Sequence, residues 1–201
     1  NSDIVSQTMC SLSVIGEKSR HEEFEQNLRI LRSRTQDNTT TSVVNMLFSE
    51  EEIWLVGHQP TSISIDIRWQ YRDFLTHLLL HGTPEEDLDD VVEKFASCAK
   101  NDNSYLAVEA CYILDNVVSQ LATSWNGDPD AYAGKLYQSF IQQKTKLQKL
   151  FLSACEKKES VKIITYWANV LEALKVCEIK SREFEKGTFK ASSEYITALS
   201  T

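Results

Sequence analysis

Glycine is scarce in this chain of 201 residues, and its six copies are not clustered. A phosphate-binding loop groups glycines so that backbone N–H groups can approach the phosphates, and no such loop is predicted here. The GxSxG pattern that presents a nucleophilic serine is also missing. The sequence therefore gives no support to nucleophilic catalysis or to a P-loop.

Long apolar runs and paired cysteines are also missing. No run approaches the roughly 18 residues of a membrane-spanning helix, so no membrane span is predicted. The five cysteines are widely and irregularly spaced, without a CxxC pair. This pattern fits small buried side chains in a reducing compartment better than a disulfide framework or a zinc site. We expect an intracellular protein, cytoplasmic or nuclear, with no cofactor and no metal.

The composition is that of an ordinary globular protein, with 42% apolar and 25% charged residues. Because the chain starts at Asn1 without a methionine, we expect a segment of a larger protein. Residues 1–16 are interpreted as an N-terminal arm or short helix, and residues 17–201 as a helical-repeat-like domain. A mobile loop is predicted at 33–42, where polar side chains compete with the backbone for hydrogen bonds.

Apolar residues recur at helical spacing along most of the chain. Ser19 is predicted to be an N-cap residue, with Glu22 three positions later as in a capping box. Thr83 is predicted to cap a second helix, with Pro84 at its first position. The predicted helices span 19–32, 43–56, 83–98, 104–125, 130–157 and 160–186.

The segment 62–71 fits two periods. Ile63, Ile65 and Ile67 alternate as in a half-buried strand, but Ile63, Ile67 and Tyr71 also share one face of a helix. A strand needs a partner for its backbone hydrogen bonds, and every other clear element is helical. A helix is therefore favoured, and a strand stays the alternative.

The predicted helices follow one another through short loops, which force antiparallel neighbours. Helix pairs that recur about every 45 residues are typical of HEAT and armadillo arrays. The sequence thus predicts an all-α protein whose antiparallel helices form either a HEAT/armadillo-like solenoid or an irregular helical bundle.

The net charge of −8 comes from the first half of the chain. Residues 1–103 hold 9 basic and 18 acidic side chains, whereas residues 104–201 hold 12 and 11. The acidic cluster at the start of the helix predicted at 83–98 consists of Glu85, Glu86, Asp87, Asp89 and Asp90. Acids in a first helical turn are stabilised by the helix dipole, by ~0.3–1 kcal/mol each, which explains them without a function. The functional alternative is a surface that binds a basic partner protein.

A basic face is predicted on the second half of the chain. It comprises Lys135, Lys144, Lys146, Lys149, Lys157, Lys158 and Lys162. Helical spacing makes a solvated helix face the ordinary interpretation. Lysine without arginine over 104–181 suits solubility better than recognition of bases or phosphates. Contact with nucleic acid or an acidic membrane through this face is the alternative function.

Three further residues suggest a metal, and one suggests an exposed aromatic. His77 and His81 are four positions apart, so a helix places both on one face, with Asp73 as a third ligand. The glutamate of the HExxH motif is missing, and a metal-dependent enzyme is disfavoured. Trp125 stands at a predicted helix end and is the candidate for an aromatic exposed in a groove.

These patterns lead to one hypothesis about function. The chain is interpreted as a non-enzymatic protein–protein interaction module or scaffold segment. Its expected partner is another protein within a multi-subunit complex.

Overall fold

The computed structural model describes residues 17–35, 39–49, 71–100 and 104–187. Eight helices cover most of this part of the chain, and no strand occurs in it, which confirms the all-α prediction. The arm predicted at 1–16 and the strand-or-helix question at 62–70 lie outside the described residues. Tyr71, at the end of that segment, is helical.

The helices are numbered in chain order. They are α1 (Glu17–Arg32), α2 (Thr40–Ser49), α3 (71–77), α4 (Leu88–Cys98), α5 (Ser104–Ser124), α6 (Tyr132–Gln142), α7 (Lys144–Glu156) and α8 (Val161–Glu185). A π-helical turn (Leu78–Gly82) continues α3, and a 3₁₀ turn (Glu85–Asp87) precedes α4.

Contacts between the helices fall into two rows. In the first row α2 contacts α4, and α4 contacts α6. In the second row α5 packs along α8, and the Arg72–Glu109 ion pair joins α3 to α5. The rows are joined because α4 also packs on α5, and α8 on α6 and α7.

Helix α5 lies at the centre of the core. Ile113, Leu114, Val117 and Val118 are completely buried, and they point to more than one side of the helix. Burying such a side chain contributes ~1.5–3 kcal/mol, and α8 covers one side of α5 with Trp167 among its buried residues. The prediction of a central helix over 104–125 is confirmed.

The start of α2 corrects the predicted loop. Residues 40–42 were assigned to the mobile loop 33–42, but α2 begins at Thr40. The Thr39 hydroxyl accepts a hydrogen bond from the Ser42 backbone N–H at 3.2 Å, which caps the helix. Similarly, α1 begins at Glu17, two residues before the predicted cap Ser19.

Thr83 is not the N-cap that the sequence predicted. Its hydroxyl instead donates a hydrogen bond to the Leu78 carbonyl at 2.8 Å, at the end of the π-helical turn. The Tyr132 hydroxyl donates to the Leu79 carbonyl at 3.0 Å in the same turn. The chain therefore passes through Pro84 into a 3₁₀ turn before α4 starts.

The helix predicted over 130–157 is two helices, α6 and α7, separated at Gln143. No proline or glycine marks this break. The two halves pack against different parts of the core, α6 mainly on α4 and α7 mainly on α8. Tertiary contacts therefore decide the break, and an apolar period alone does not reveal it.

A tight turn connects α7 to α8. The Glu159 N–H donates to the Ala154 carbonyl at 3.0 Å and the Lys158 N–H to the Cys155 carbonyl at 3.2 Å, the two bonds of a Schellman motif. Lys158 takes the left-handed position of the motif, with φ 53°. The Ser160 side chain then accepts from the Ile163 N–H and caps α8, whose predicted extent is confirmed.

Candidate interaction surfaces

The acidic cluster lies on the surface at the start of α4. Four of its five side chains are exposed, and Asp87 is half-buried. Asp87 stands at the N-cap position of α4, but its side chain makes no capping hydrogen bond. The cluster therefore concentrates negative charge at a helix start, where the dipole favours it, although Asp87 does not cap the helix.

Lysines from two other helices form ion pairs with one carboxylate of the cluster and with one carboxylate beside it. Lys135 of α6 forms an ion pair with Glu85. Lys146 of α7 contacts Glu93, with Nζ 3.2 Å from Oε1, and its Nζ is also 3.1 Å from the Ser97 hydroxyl. In the described part of the chain the other four acids of the cluster form no ion pair.

The seven lysines of the predicted basic face divide into two groups by their contacts. The paired lysines are Lys135, Lys144 and Lys146; the Nζ of Lys144 lies 3.4 Å from Glu178 Oε2 on α8. The corner lysines are Lys149, Lys157, Lys158 and Lys162. All four corner lysines are exposed, and none forms an ion pair with a described residue. The charge available to a partner is therefore smaller than the sequence predicted, and lies around the α7–α8 turn.

Trp125 is not the exposed aromatic that the sequence predicted, because only 4% of it is accessible. Its indole N–H donates to the Asp128 carbonyl at 2.9 Å, and its ring centroid lies 5.0 Å from that of Tyr137. Lys180 of α8 donates to the Trp125 carbonyl at 2.8 Å. The loop after α5 satisfies the polar atom of the indole, which allows the ring to be buried.

The described residues do not support the hypothesis of a metal site at Asp73, His77 and His81. His77 and His81 are neighbours, with ring centroids 4.7 Å apart, and the His77 ring also meets Phe24 edge-on at 4.4 Å. Among the described residues, no three His, Cys, Asp or Glu side chains are grouped to hold a metal ion. Asp73 therefore does not complete a site with the two histidines.

Most of the described cysteines are buried, which makes their thiols unreactive. Cys98, Cys111 and Cys177 are buried, as expected, and burial raises the pKa of each thiol, that of Cys177 to about 11. A thiol with a raised pKa is a poor nucleophile at neutral pH. Cys155 is exposed on α7, which corrects the expectation for that residue. Cys10 lies outside the described residues.

A polar junction between α3 and α5 was missed in the sequence. The Arg72 guanidinium forms a two-pronged ion pair with Glu109, with Nη2 2.7 Å from Oε1. The guanidinium carbon also lies 4.3 Å from the centre of the Tyr112 ring, which meets Tyr166 of α8 edge-on. The sequence feature that could have indicated this junction is Glu109, a carboxylate in a helix that is apolar on most sides.

No family model, curated protein or solved structure matches this chain. No helix among the described residues is long and apolar enough to cross a membrane. Evidence about function therefore comes from the charge and exposure of the chain's own side chains.

Proposed function

We propose that this chain is a non-enzymatic protein-interaction module whose acidic cluster binds a basic segment of a partner protein. The observation that carries the proposal is the imbalance of charge at the start of α4. Glu86, Asp87, Asp89 and Asp90 form no ion pair with the described residues, whereas Glu85 beside them has Lys135. A cationic partner relieves the repulsion among these four carboxylates and is attracted to them.

The order of the helix contacts supports a HEAT/armadillo-like array as the architecture of this module. In such arrays consecutive helices alternate between two layers, and each layer stacks along the chain. The row of α2, α4 and α6 and the contact of α5 with α8 agree with this pattern, and the Arg72–Glu109 ion pair links α3 to α5. Helix α7 departs from this pattern, because it stands between α6 and α8 in the chain and packs mainly on α8.

The alternative function, nucleic-acid or acidic-membrane contact through the whole basic face, has less support. Lys135, Lys144 and Lys146 are engaged with carboxylates of the same chain, which removes three of the seven charges from that face. A metal-dependent enzyme has no metal-ligating group among the described residues to support it.

A fluorescence anisotropy titration with a labelled lysine-rich peptide tests the proposal. In the test variant Glu86→Gln, Asp87→Asn, Asp89→Asn and Asp90→Asn are combined. We expect the affinity to fall roughly tenfold or more, because four charges of the contact are lost. The affinity of the original chain should also decrease as salt is raised, because ions screen exposed charges.

The matched control removes four negative charges elsewhere on the described surface, with Glu156→Gln, Glu159→Gln, Glu172→Gln and Glu185→Gln. This control should bind the peptide as the original chain does. Equal affinities of the test variant and the original chain, or equal losses in both variants, would contradict a role for the acidic cluster.

A further inference from the structure

The two most exposed large apolar side chains in the described residues flank the same turn. Leu152, in the last two turns of α7, is 57% exposed, and Val161, the first residue of α8, is 79% exposed. Thr165 and Ala168 are also exposed on α8, one and two turns after Val161. The α7–α8 corner, defined as residues 149–168, thus presents exposed apolar side chains on both of its helices.

The corner lysines belong to the same stretch of the chain and are exposed as well. With Glu156 and Glu159 included, the charged side chains of residues 149–168 sum to +2, in a chain whose net charge is −8. Val176 and Ile179 are also exposed further along α8, but the basic and acidic side chains of residues 172–186 are equal in number. An excess of positive charge therefore accompanies exposed aliphatic carbon at the corner and not at Val176 and Ile179.

The backbone at the corner is also unusual. Lys158 occupies the left-handed position of the Schellman motif, where glycine has no steric penalty and other residues do. Non-glycine residues in this region are uncommon and often mark functional positions. Here the strained residue contributes one of the four corner lysines.

We propose that the α7–α8 corner is a second docking surface, which binds an acidic amphipathic segment of another protein. The carboxylates of this segment meet the corner lysines, and its apolar side chains cover Leu152 and Val161. This surface is independent of the acidic cluster and has the opposite charge. Its partner is recognised by the combination of acidic and aliphatic groups, since neither charge nor apolar area alone matches the corner.

The other occupants fit the corner less well. A single-stranded nucleic acid needs aromatic or arginine side chains on which to stack bases, and the exposed residues of the corner include neither. An anionic bilayer attracts lysines, but Glu156 is exposed one turn after Leu152 and opposes insertion at that point. A protein segment can place its own groups around Glu156.

The test uses the full chain and a fluorescein-labelled helical peptide with leucines on one face and glutamates on the other. Three variants are compared. The charge variant combines Lys149→Gln, Lys157→Gln, Lys158→Gln and Lys162→Gln; the apolar variant combines Leu152→Ser and Val161→Ser; the control variant combines Lys135→Gln, Lys144→Gln and Lys146→Gln. We expect the first two to weaken binding roughly tenfold or more, and the control to change it less than about threefold.

Three comparisons make the result specific. The chain is also titrated with a polyglutamate peptide, with vesicles containing phosphatidylserine, and with a poly-dT oligonucleotide, and its mass is followed by sedimentation. Tighter binding of the leucine-bearing peptide than of polyglutamate supports the proposal. Equal effects of the control and charge variants overturn it, as does binding of vesicles or oligonucleotide without the peptide, self-association that depends on the corner, or no binding at all. Loss of lysine-rich peptide binding in the acidic-cluster variant is measured separately. The proposal for the corner and the proposal for the acidic cluster can therefore be contradicted independently of each other.

Discussion

The α3–α5 junction and the α7–α8 corner use charged residues in opposite ways. At the junction, only 12% of the Arg72 side chain and 4% of the Glu109 side chain are accessible, and each charge meets its opposite. At the corner, lysines such as Lys157 and Lys158 are exposed and form no ion pair with a described residue. Burial makes the first arrangement obligatory, because a buried charge without a partner is very costly. Exposure leaves the second available to a ligand.

The comparison also separates stability from binding. Exposed pairs such as Lys135–Glu85 contribute ~0–1 kcal/mol, so the surface charges are nearly neutral for folding. A buried pair also contributes little net stability, since apolar residues of the same volume often replace it without loss. What Arg72 and Glu109 supply is a fixed orientation of α3 against α5, to which the Tyr112 ring adds a contact with the guanidinium.

The largest expected effect follows from breaking the junction on one side. Glu109→Ala leaves the Arg72 guanidinium buried without its carboxylate, and we expect the free energy of unfolding to fall by ~3–5 kcal/mol. Urea denaturation followed by circular dichroism measures it. The double variant Arg72→Met with Glu109→Leu should recover most of the loss. A loss below ~1 kcal/mol in the single variant would show that water reaches the guanidinium.

Alkaline pH should weaken the buried interior of the protein. Burial raises the pKa of Tyr132 and of Tyr137 to about 12, and that of Cys177 to about 11. In the unfolded chain these groups lose their protons near pH 10 and near pH 9, while the folded protein keeps them. Between the pKa of each group in the unfolded chain and its pKa in the folded protein, the folded state therefore binds more protons than the unfolded state. The free energy of unfolding consequently decreases as pH rises.

We expect a loss of ~1–2 kcal/mol for each of these three groups between pH 9 and pH 11, measured by urea denaturation at each pH. Tyr137→Phe removes one of these ionisations and should make the decrease shallower between pH 10 and pH 12. Leu152→Ser, at the exposed corner, should leave the slope as it is. A flat profile from pH 8 to pH 11 would mean that these side chains are already accessible to water.

The smallest effect, with the opposite sign, is expected at the corner. Lys158→Gly removes a side chain from a left-handed backbone position and should raise the free energy of unfolding by up to ~1 kcal/mol. Lys157→Gly is the matched control, since Lys157 has a right-handed helical conformation with φ −74°. That control should lose ~0.5–1 kcal/mol. If the two variants behave alike, the backbone of the turn differs from the one described here.

The long central helices were predictable because a local signal determines them. The apolar pattern of α5 and the Ser160 cap of α8 belong to single stretches of sequence, and both helices lie where the sequence placed them. The division at Gln143 has no local cause, since it depends on which helices α6 and α7 each contact. The apolar period is a property of one helix at a time and carries no information about contacts between helices.

The candidate surfaces show the same limit. The acidic cluster and the seven lysines were found from composition, but the division of the lysines into two groups was not. Lys135 and Glu85 are 50 positions apart, and Lys146 and Glu93 are 53 apart, so the pairs exist only through the tertiary fold. Trp125 was misjudged for a related reason. The turn after it was visible in the sequence, but not the Asp128 carbonyl that satisfies its indole.

The packing of α5 along α8 has a consequence for synthesis on the ribosome. About sixty residues separate the end of α5 from the end of α8, and at typical elongation rates they take roughly 3–12 s to make. During that interval the side of α5 that α8 later covers has no native partner, although α4 is already available. The apolar centre of this protein is therefore finished late, and a nascent chain waiting for α8 is the form most exposed to chaperones and to aggregation.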